Sequence, residues 1–474
     1  MNHKTEQTEN ISIPRIVVAA VQGRSGKTTF TIGLLRALRE RGLLLQGYKK
    51  GPDYIDPSWS TFASGVQCRN LDGVMMTKAQ IVHSFCKHAQ DKDIAIVEGA
   101  MGIYDGLDWQ GSNSTAELAV TLGAPVILVV SGQRITRSVA AIVSGVINFD
   151  KRVHIAGVVL NQVARNRHQD MMTKCIEEYC HVPVLGAIPK ASDIEIPDRH
   201  LGLIPAGEQD ALRERIDRLG QLIEDNVDID AILKIAADAP AIALPSNVIR
   251  VEKKPAVVKI GMFKDRAFSF YYPENIEALE EAGAEIVAID AINDAHLPEI
   301  DGLYIGGGFP EIFAQDLEKN LTMRQSVKNA AEAGMPIYAE CGGLMYLSKA
   351  VESENNHYQM AGVFDGVVSM QKRPVGHGFA FQKPTAANPY FSPDTLVKGH
   401  EFHHSKILLP QEPSDYHWAF ETQRGKGITT NGEQTVDGLL YKNTLATYHH
   451  FHAASSDEWA KSFIQLAEAF HKNK

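Results

Sequence analysis

The sequence is poor in cysteine and has no long apolar run. The five cysteines are scattered along 474 residues, at Cys68, Cys86, Cys175, Cys180 and Cys341. They lack the spacing of a metal site or a disulfide framework, so we expect a reducing, cytoplasmic location. No window reaches the roughly 18 apolar residues of a membrane span. The polar N-terminus, MNHKTEQTENISIPR, has no apolar signal core, so we expect neither secretion nor membrane association.

Basic residues are also in the minority. Lysine and arginine number 47 against 57 aspartates and glutamates, which gives a formal charge of −10. A nucleic-acid surface requires a basic excess, so we expect no nucleic-acid partner. Low-complexity tracts and repeats at solenoid periods are absent. The 44% hydrophobic and 22% charged residues are typical of an ordinary globular protein.

Short apolar runs alternate with helical patterns in two successive halves. At about 150 residues per domain, the length predicts three domains or two large ones. Alternating strands and helices predict parallel sheets, because parallel strands need long crossovers. In the first half we predict strands at 16–21, 94–97, 125–130, 155–160 and 184–188, and helices at 28–41, 114–122 and 139–147. In the second half we predict strands at 257–263, 286–289, 302–305 and 337–339. Three prolines and mixed charge interrupt the pattern, which predicts domains at 1–235 and 257–474 with a linker at 236–256.

A glycine-rich segment joins the first predicted strand to the first predicted helix. It reads Gly23-Arg24-Ser25-Gly26-Lys27-Thr28-Thr29, and this pattern is typical of a P-loop that closes around phosphate at a helix N-terminus. Lys27 is expected to reach the terminal phosphates and Thr28 to bind Mg²⁺. Val21 replaces the first glycine of the full motif. We predict that ATP is bound by Gly23, Ser25, Gly26, Lys27, Thr28 and Thr29.

Carboxylates follow in two segments that offer the hard oxygen ligands Mg²⁺ prefers. Asp53 and Asp56 lie in Gly51-Pro52-Asp53-Tyr54-Ile55-Asp56-Pro57, which is predicted to be too punctuated for a helix. Glu98 follows the strand at 94–97, where the ligand crevice of a parallel sheet opens, and Asp105 comes shortly after. Any one of these acids alone more often serves a turn. Because these acids accompany a predicted P-loop, we predict that the metal ligands are Thr28, Asp53 and Glu98.

A second chemical centre is predicted at Cys341. This cysteine follows a strand in Tyr338-Ala339-Glu340-Cys341-Gly342-Gly343-Leu344, the strand–turn–helix arrangement of a nucleophile elbow. Backbone N–H groups at such a turn can hold an oxyanion, and Gly306-Gly307-Gly308 after another strand can supply more. The other cysteines lack such a turn, so we expect them to be small buried side chains.

Histidines near the C-terminus offer a base for this cysteine. Three lie in Tyr448-His449-His450-Phe451-His452, and a second cluster contains His400, His403 and His404. No cysteine or carboxylate set at zinc spacing accompanies them, so we expect no bound transition metal.

Taken together, these motifs resemble the cobyrinate a,c-diamide synthase family along nearly the whole chain. The motifs are GPDYIDP at 51–57, RNLD at 69–72, VEGAMGIYDG at 97–106, DRHLGLIPAGE at 198–208, AFSFYYPEN at 267–275, GGGFPE at 306–311, AECGGLMYL at 339–347 and GHEFHHS at 399–405. The resemblance implies an α/β fold with two parts. The first is an N-terminal P-loop, dethiobiotin-synthetase-like domain with a parallel sheet, and the second is a C-terminal class I glutamine amidotransferase domain of flavodoxin-like type.

The family resemblance also implies a reaction. ATP, Mg²⁺ and glutamine would serve to amidate the a and c acetate groups of a tetrapyrrole polycarboxylate through an acyl phosphate. Ammonia would pass by an internal route because the two halves are fused. A homodimer is the assembly that we expect to test for. Cys341 resembles the thioester-forming nucleophile and His450 the base, with His452 as the fallback. The implied oxyanion hole is Gly307, Gly308 and Gly342. The implied nucleotide and magnesium set is Lys27, Thr28 and Glu98. Asp53 also lies in a motif of the substrate end, where the implied substrate residues are Tyr54, Asp56 and Asp105.

Three departures bear on the substrate. Val21 replaces the usual first glycine, Trp59 follows GPDYIDP, and Lys49-Lys50 precedes it. Relatives with the last two features resemble the sirohaem-amidating branch, and a nickel-sirohydrochlorin branch exists as well, so cobyrinate, sirohaem and nickel-sirohydrochlorin all stay open. The excess of acidic residues describes the chain as a whole, and we expect the ligand sites themselves to be locally basic. Basic residues near the ligand motifs are Arg24, Lys27, Lys49, Lys50 and Arg69, with Arg134, Arg137 and Arg199 as weaker additions.

Two other kinds of protein fit parts of the pattern. A regulatory P-loop ATPase with an inactive glutaminase domain would have lost the nucleophile or the base, yet Cys341 and His450 are both present. A dethiobiotin synthetase has no use for the second half. A cobyrate synthase amidates other side chains and is expected to differ in GPDYIDP and DRHLGL.

Overall fold

The computed structural model describes residues 10–190, 209–244, 255–353, 356–410, 415–431 and 434–474. The chain divides into two units, Met1–Ile249 and Arg250–Lys474. Each unit contains sheets covered by helices, which confirms the predicted α/β class. The motif at 198–208, with Arg199, lies outside the described residues.

A parallel sheet of seven strands forms the centre of the first unit, in the order β4-β3-β5-β2-β6-β7-β8. The first-unit strands are β1 Asn10–Ile11, β2 Arg15–Ala20, β3 Leu45–Lys50, β4 Arg69–Leu71, β5 Ile94–Glu98, β6 Val126–Ser131, β7 Ile155–Val163, β8 Val184–Pro189 and β9 Ile242–Ala243. Every residue of β2 and β5 is buried, because helices cover a parallel sheet on both faces.

The helices of the first unit alternate with these strands. They are α1 Lys27–Glu40, α2 Ile55–Ser64, α3 Lys78–Ala89, α4 Thr115–Leu122, α5 Ser138–Phe149, α6 Asn166–Cys180, α7 Gln209–Asn226 and α8 Ile229–Ala237. The predicted elements of this half agree with them within about three residues, an ordinary uncertainty for element ends. The parallel register places Lys49 of β3 beside Glu98 of β5, so the carboxyl ends of neighbouring strands bring these two residues together.

Two sequence-based predictions in this unit are wrong in part. The segment around Asp53 and Asp56 is not free of helix, since α2 begins at Ile55 and contains Pro57 in its first turn. Proline is tolerated there because first-turn N–H groups have no partner within the helix. The segment at 236–256 is also more than a linker. Its start belongs to α8, and β9 pairs with β1 of the same unit.

The second unit is built on an 11-stranded mixed sheet, and its main path runs β12-β10-β13-β15-β25-β24-β22-β19-β20-β26. The strands are β10 Val258–Phe263, β11 Phe268–Phe270, β12 Ala284–Ile289, β13 Gly302–Ile305, β14 Gly307–Gly308, β15 Ile337–Glu340, β16 Ser348–Ser353, β17 Asn356–Gln359, β18 Phe364–Met370, β19 Gly376–Pro384, β20 Val397–His403, β21 Ser405–Leu408, β22 His417–Arg424, β23 Thr429–Asn431, β24 Gln434–Tyr441, β25 Thr444–Thr447 and β26 His450–Phe451. The helices are α9 Pro273–Ala282, α10 Ala314–Lys319, α11 Leu321–Glu332, α12 Gly342–Leu347 and α13 Trp459–Asn473.

Three neighbouring strands of this sheet position the predicted glutaminase residues. β15 pairs in parallel with β13 on one side and with β25 on the other. The glycine run follows β13, Cys341 follows β15, and His450 lies shortly after β25. Parallel strands present their carboxyl ends at one edge, so these three segments converge. Among the described residues, no helix is both long and apolar enough to span a membrane.

Candidate active sites

The predicted P-loop has the local geometry of a phosphate site. The loop between β2 and α1 ends at Gly26, whose φ of 95° lies in the left-handed region, and no side chain caps the helix. The free N–H groups of the first turn therefore point at the loop, as in an anion site. The Lys27 ammonium donates to the backbone oxygen of Met101 at 2.6 Å. Burial and the neighbouring Lys49 lower the pKa of Lys27.

Asn161 supports the loop from the end of β7, and sequence reasoning did not identify it. Its side-chain amide donates to the Ser25 carbonyl at 2.9 Å. A Cβ placed on Gly26 would lie 1.9 Å from the Asn161 amide nitrogen, so only glycine fits there. A strand-end asparagine is a common residue, and its contact with the loop depends on the fold.

The predicted metal ligands surround a buried lysine. Thr28 Oγ1 donates to Glu98 Oε1 at 2.6 Å, and it lies 3.4 Å from Asp56 Oδ2. Lys49 Nζ lies 2.8 Å from Glu98 Oε1, in close contact with Asp56, and 3.9 Å from Asp53. We call these three acids and Lys49 the carboxylate–lysine cluster. Asp53 also accepts hydrogen bonds from the N–H groups of Ile55 and Asp56, so it orders the start of α2 as well.

The charges in the carboxylate–lysine cluster depend on one another. Burial raises the pKa of Glu98, and the opposing attraction of Lys49 does not cancel that effect. Burial disfavours the Lys49 ammonium, but Glu98, Asp56 and Asp53 together outweigh it and raise the pKa of Lys49. Burial likewise raises the pKa of Asp53 against the pull of Lys49, whereas Lys49 overcomes burial to lower the pKa of Asp56. Lys49 therefore opposes the effect of burial on all three carboxylates.

The donor atoms of this cluster suit Mg²⁺. Glu98 Oε2 is buried and accepts no hydrogen bond from the described residues, and the Thr28 hydroxyl lies beside the same carboxylate. Across the described parts of the chain, no group of three or more histidine, cysteine, aspartate or glutamate side chains is arranged to hold a metal ion. Mg²⁺ commonly binds through one or two carboxylates and completes its shell with waters and phosphates. The residues therefore fit a magnesium ion that arrives with a nucleotide.

The remaining predicted substrate residues lie in loops around the cluster. Tyr54 is half-buried immediately before α2. Asp105 is exposed, and its carboxylate accepts the N–H of Gly102 at 2.8 Å. The loop between β5 and α4 that contains Asp105 also exposes Met101, Leu107 and Trp109, the last at 92%.

The basic residues differ in their surroundings. Lys49, Lys50 and Arg69 are buried, whereas Arg24 is exposed on the P-loop. Burial lowers the pKa of Lys50 despite the attraction of Asp72. Arg137 lies over the ring of Tyr179 on the α5–α6 surface, and Arg134 is exposed.

Cys341 occupies a strained elbow between β15 and α12. Its φ of 47° and ψ of −95° are unusual for a residue with a side chain, and such strain concentrates at functional sites. The Cys341 N–H donates to the Thr447 carbonyl at 2.7 Å. Burial, with help from Glu311, raises the pKa of the Cys341 thiol, although the Gly342 N–H opposes the shift.

The three predicted oxyanion glycines and His450 lie together in the second unit. A Cβ on Gly342 would lie 3.0 Å from the nitrogen of Gly308. A Cβ on Gly307 would lie 2.5 Å from Cε1 of His450. A substituent at either position would thus intrude on the Gly308 nitrogen or on the His450 ring. β14 is held in place by its pairing with β11.

The two candidate bases have different environments. His450 lies against Gly307, and its ring stacks on His400 with centroids 4.8 Å apart. His452 Nδ1 accepts the Ala454 N–H at 3.1 Å, and its Nε2 lies 3.7 Å from Glu274. Nδ1 of His452 is therefore occupied by a backbone hydrogen bond, and its Nε2 lies near the Glu274 carboxylate. Burial lowers the pKa of His450 to about 3, so the imidazole is neutral near pH 7.

The fold and these two sites define a class: a P-loop nucleotide-binding unit fused to a glutamine amidotransferase unit. Residues 16–204 match the family model described as "CobQ/CobB/MinD/ParA nucleotide binding domain". Residues 259–458 match the one described as "CobB/CobQ-like glutamine amidotransferase domain". Both matches confirm the domain types expected from the sequence.

Curated relatives match over nearly the full length. Proteins named cobyrinate a,c-diamide synthase include one from Magnetococcus marinus, 42% identical over 94% of this chain and 96% of its own. Another from Methanosarcina barkeri is 41% identical over 100% of this chain and 99% of its own. One from Dehalococcoides mccartyi is 42% identical over 97% of this chain and 99% of its own. The chain belongs to the cobyrinate a,c-diamide synthase family, as its motifs indicated, and it is a glutamine-dependent amidotransferase ligase.

Proposed function

We propose that this protein amidates the a and c acetate carboxylates of a cobyrinate-type tetrapyrrole, using ATP and glutamine. The observation that carries the proposal is the pairing of two chemical centres in one chain. A P-loop with an adjacent carboxylate–lysine cluster forms the first, and the Cys341 elbow with its glycines and base forms the second. The first centre would activate a carboxylate and the second would release ammonia from glutamine, so glutamine-dependent amidation needs both.

At the second centre, we propose that His450 accepts the thiol proton and Cys341 attacks the carboxamide carbon of glutamine. The N–H groups of Gly307, Gly308 and Gly342 stabilise the oxyanion that forms, because backbone dipoles fixed in a buried site need no reorganisation. His450 passes this proton to the leaving nitrogen as the tetrahedral intermediate collapses, which releases ammonia and leaves a thioester. Water then cleaves the thioester to give glutamate and free Cys341.

At the first centre, the N–H groups of the P-loop and Lys27 hold the phosphates of ATP, with Gly23, Ser25, Gly26 and Thr29 shaping the loop. Thr28 and Glu98, with Asp53 or Asp56, would hold Mg²⁺, which neutralises phosphate charge. An acetate oxygen attacks the γ-phosphorus and ADP leaves, so a poor electrophile becomes an acyl phosphate. Ammonia attacks the acyl carbon and phosphate departs. Lys49 is placed to stabilise developing charge by electrostatics and positioning.

The loop between β5 and α4 supports a tetrapyrrole as the acceptor. It exposes Met101 and Trp109, at 64% and 92%, near the polar Asp105. A flat apolar macrocycle matches the apolar part of this loop, because aromatic side chains stack on extended π systems. The same surface suits cobyrinate, sirohaem and nickel-sirohydrochlorin, so an experiment has to identify which of the three is the substrate.

The test offers the three macrocycles in parallel, with ATP, Mg²⁺ and either glutamine or ammonium, and reads products by mass spectrometry. We expect two successive amidations of one macrocycle. The Cys341→Ser variant is expected to lose glutamine-dependent amidation and to keep the ammonium-dependent reaction, since the ATP site is intact. Loss of both reactions in a folded variant contradicts the two-centre mechanism, and no amidation of any macrocycle by the wild type contradicts the proposed function.

A further inference from the structure

Glu340 is the residue before Cys341, and its carboxylate is fully buried at the end of β15. We infer that Glu340 is a positioning residue that orients the imidazole of His450 and completes the glutaminase centre. The inference rests on the proposed function, because it assumes the roles of Cys341 and His450 given there.

The Glu340 carboxylate is held at both oxygens. Oε1 accepts the N–H of Phe451 at 3.2 Å, and Oε2 accepts the hydroxyl of Tyr304 at 3.3 Å. Tyr304 is itself fixed by the Asn275 amide, 3.1 Å away. The same Oε2 lies 3.8 Å from Nδ1 of His450. One rigid carboxylate thus contacts both the ring of the base and the main chain that follows it.

The His450 ring is oriented by its surroundings. A Cβ on Gly307 would lie 2.5 Å from Cε1 but 3.4 Å from either ring nitrogen, so the Cε1 edge faces that glycine. His400 covers one face of the ring. With Nδ1 directed at Glu340, Nε2 is the nitrogen available to the thiol. Glu340 contacts the base rather than the reacting atoms, so it acts through His450.

The chemistry of the first step uses this arrangement. As the S–H bond of Cys341 breaks, its proton binds Nε2 and the ring becomes an imidazolium, with a positive Nδ1–H facing Glu340. An ionised carboxylate there stabilises the imidazolium and fixes the tautomer that leaves Nε2 free, and such contacts tighten in the enzyme–substrate complex. The titratable groups near Glu340 include Tyr304 from β13, Tyr338 from β15, Tyr271 after β11, and His450 and His452 beyond β25.

Sequence reasoning missed Glu340 because its contact with His450 joins segments that are far apart in the sequence. The residue pairs with Thr447 across the β15–β25 ladder. β25 ends at Thr447 and β26 begins at His450, whose Nδ1 lies 3.8 Å from Glu340 Oε2.

The test compares glutamine hydrolysis by full-length wild type, Glu340→Gln and Glu340→Asp, with Asp301→Asn as the matched control. Asp301 is a buried carboxylate of the same unit, paired with Lys474. We expect Glu340→Gln to lower kcat about 100-fold with KM nearly unchanged. Glu340→Asp should recover part of the loss, and Asp301→Asn should keep wild-type kcat. Ammonium-dependent amidation should be unchanged in all three.

The pH profile separates positioning from packing. Burial raises the pKa of Glu340 to about 8, although Phe451, Tyr304 and His452 oppose the shift. The carboxylate therefore ionises as pH rises through 8, and the ratio of wild-type to Glu340→Gln kcat should grow between pH 6 and 9. A folded Glu340→Gln with wild-type kcat, or a ratio independent of pH, overturns the inference. If Glu340→Gln does not fold, kcat of Glu340→Asp equal to that of the wild type overturns it.

The two proposals fail in distinguishable ways. Hydrolysis of glutamine and labelling of Cys341 by an electrophilic glutamine analogue need no tetrapyrrole. A wild type that hydrolyses glutamine but amidates none of the macrocycles contradicts the proposed acceptor and leaves Glu340 testable. A wild type in which Cys341 neither hydrolyses glutamine nor is labelled contradicts both.

Discussion

Replacement of Lys49 by methionine removes the ammonium from the carboxylate–lysine cluster and keeps an apolar chain of similar length. In the wild type the Lys49 and Glu98 side chains are 7% and 1% exposed, with Nζ and Oε1 2.8 Å apart. The substitution leaves Glu98, Asp56 and Asp53 close together with no cation between them. We expect the first unit to lose stability and the loss to depend strongly on pH.

The magnitude follows from the geometry. At an effective dielectric constant of about 20, two unit charges at this separation attract by about 6 kcal/mol. Desolvation of the buried ions offsets part of this attraction, so the measured loss is smaller. Removal of one partner of a buried ion pair typically costs about 3–5 kcal/mol, because the other charge stays buried. We expect a loss in this range at pH 8.

The sign of the pH dependence is set by Glu98. Its folded pKa is raised by burial even with Lys49 present, and without Lys49 it should rise further. A carboxyl with a raised folded pKa favours folding at low pH and loses that advantage as pH rises through the folded value. The deficit of Lys49→Met should therefore be largest at pH 8 and should shrink towards pH 5. Mg²⁺ should stabilise the variant more than the wild type, since it supplies the missing positive charge.

The assay is urea unfolding followed by intrinsic fluorescence at pH 5 and pH 8, with and without Mg²⁺. Lys78→Met is the control, because the Lys78–Glu117 pair is exposed at 72% and 40%, and it should change stability by less than about 1 kcal/mol. A Lys49→Met deficit as small as that of the control at pH 8, or an equal deficit at both pH values, refutes the electrostatic account of the cluster.

Three further predictions concern the rest of the chain. Gly307→Ala should lower glutamine kcat at least about tenfold, because the new methyl group overlaps His450; unchanged kcat contradicts this placement. Burial, reinforced by Glu401, raises the pKa of Asp437 to about 7, so wild type should lose urea stability relative to Asp437→Asn as pH rises from about 4 to 7; parallel pH profiles contradict this. Trp109, 92% exposed, should show fluorescence quenching by the accepted macrocycle, and Trp109→Phe should lose that signal while keeping activity; quenching that persists in Trp109→Phe argues against macrocycle binding at this loop.

Local pattern was enough for five of the seven strands in the parallel sheet of the first unit and for the turn at Cys341. Apolar runs with turn residues between them predicted β2, β5, β6 and β7 because each strand is buried on both faces. The P-loop and the Cys341 elbow were predictable because both are continuous segments at a strand–turn–helix junction. In these cases the chemistry depends on residues adjacent in sequence.

The errors arose where local signals conflict with tertiary context. Pro57 suggested a break, yet the first turn of α2 accepts it. The prolines at 236–256 suggested a linker, yet β9 pairs with β1. The strands β16 to β23 were not predicted, although β19, β20 and β22 lie inside the main sheet of the second unit.

The sequence by itself determined the two kinds of centre and their residue types. Only the tertiary structure decided the partnerships between distant residues: Lys49 with Glu98, Asn161 with the P-loop, and Glu340 with His450. The physical reason is that a contact across a sheet depends on strand order and register, which no single segment encodes. A buried charge also acquires its properties from its neighbours, so its role becomes visible only once those neighbours are in place.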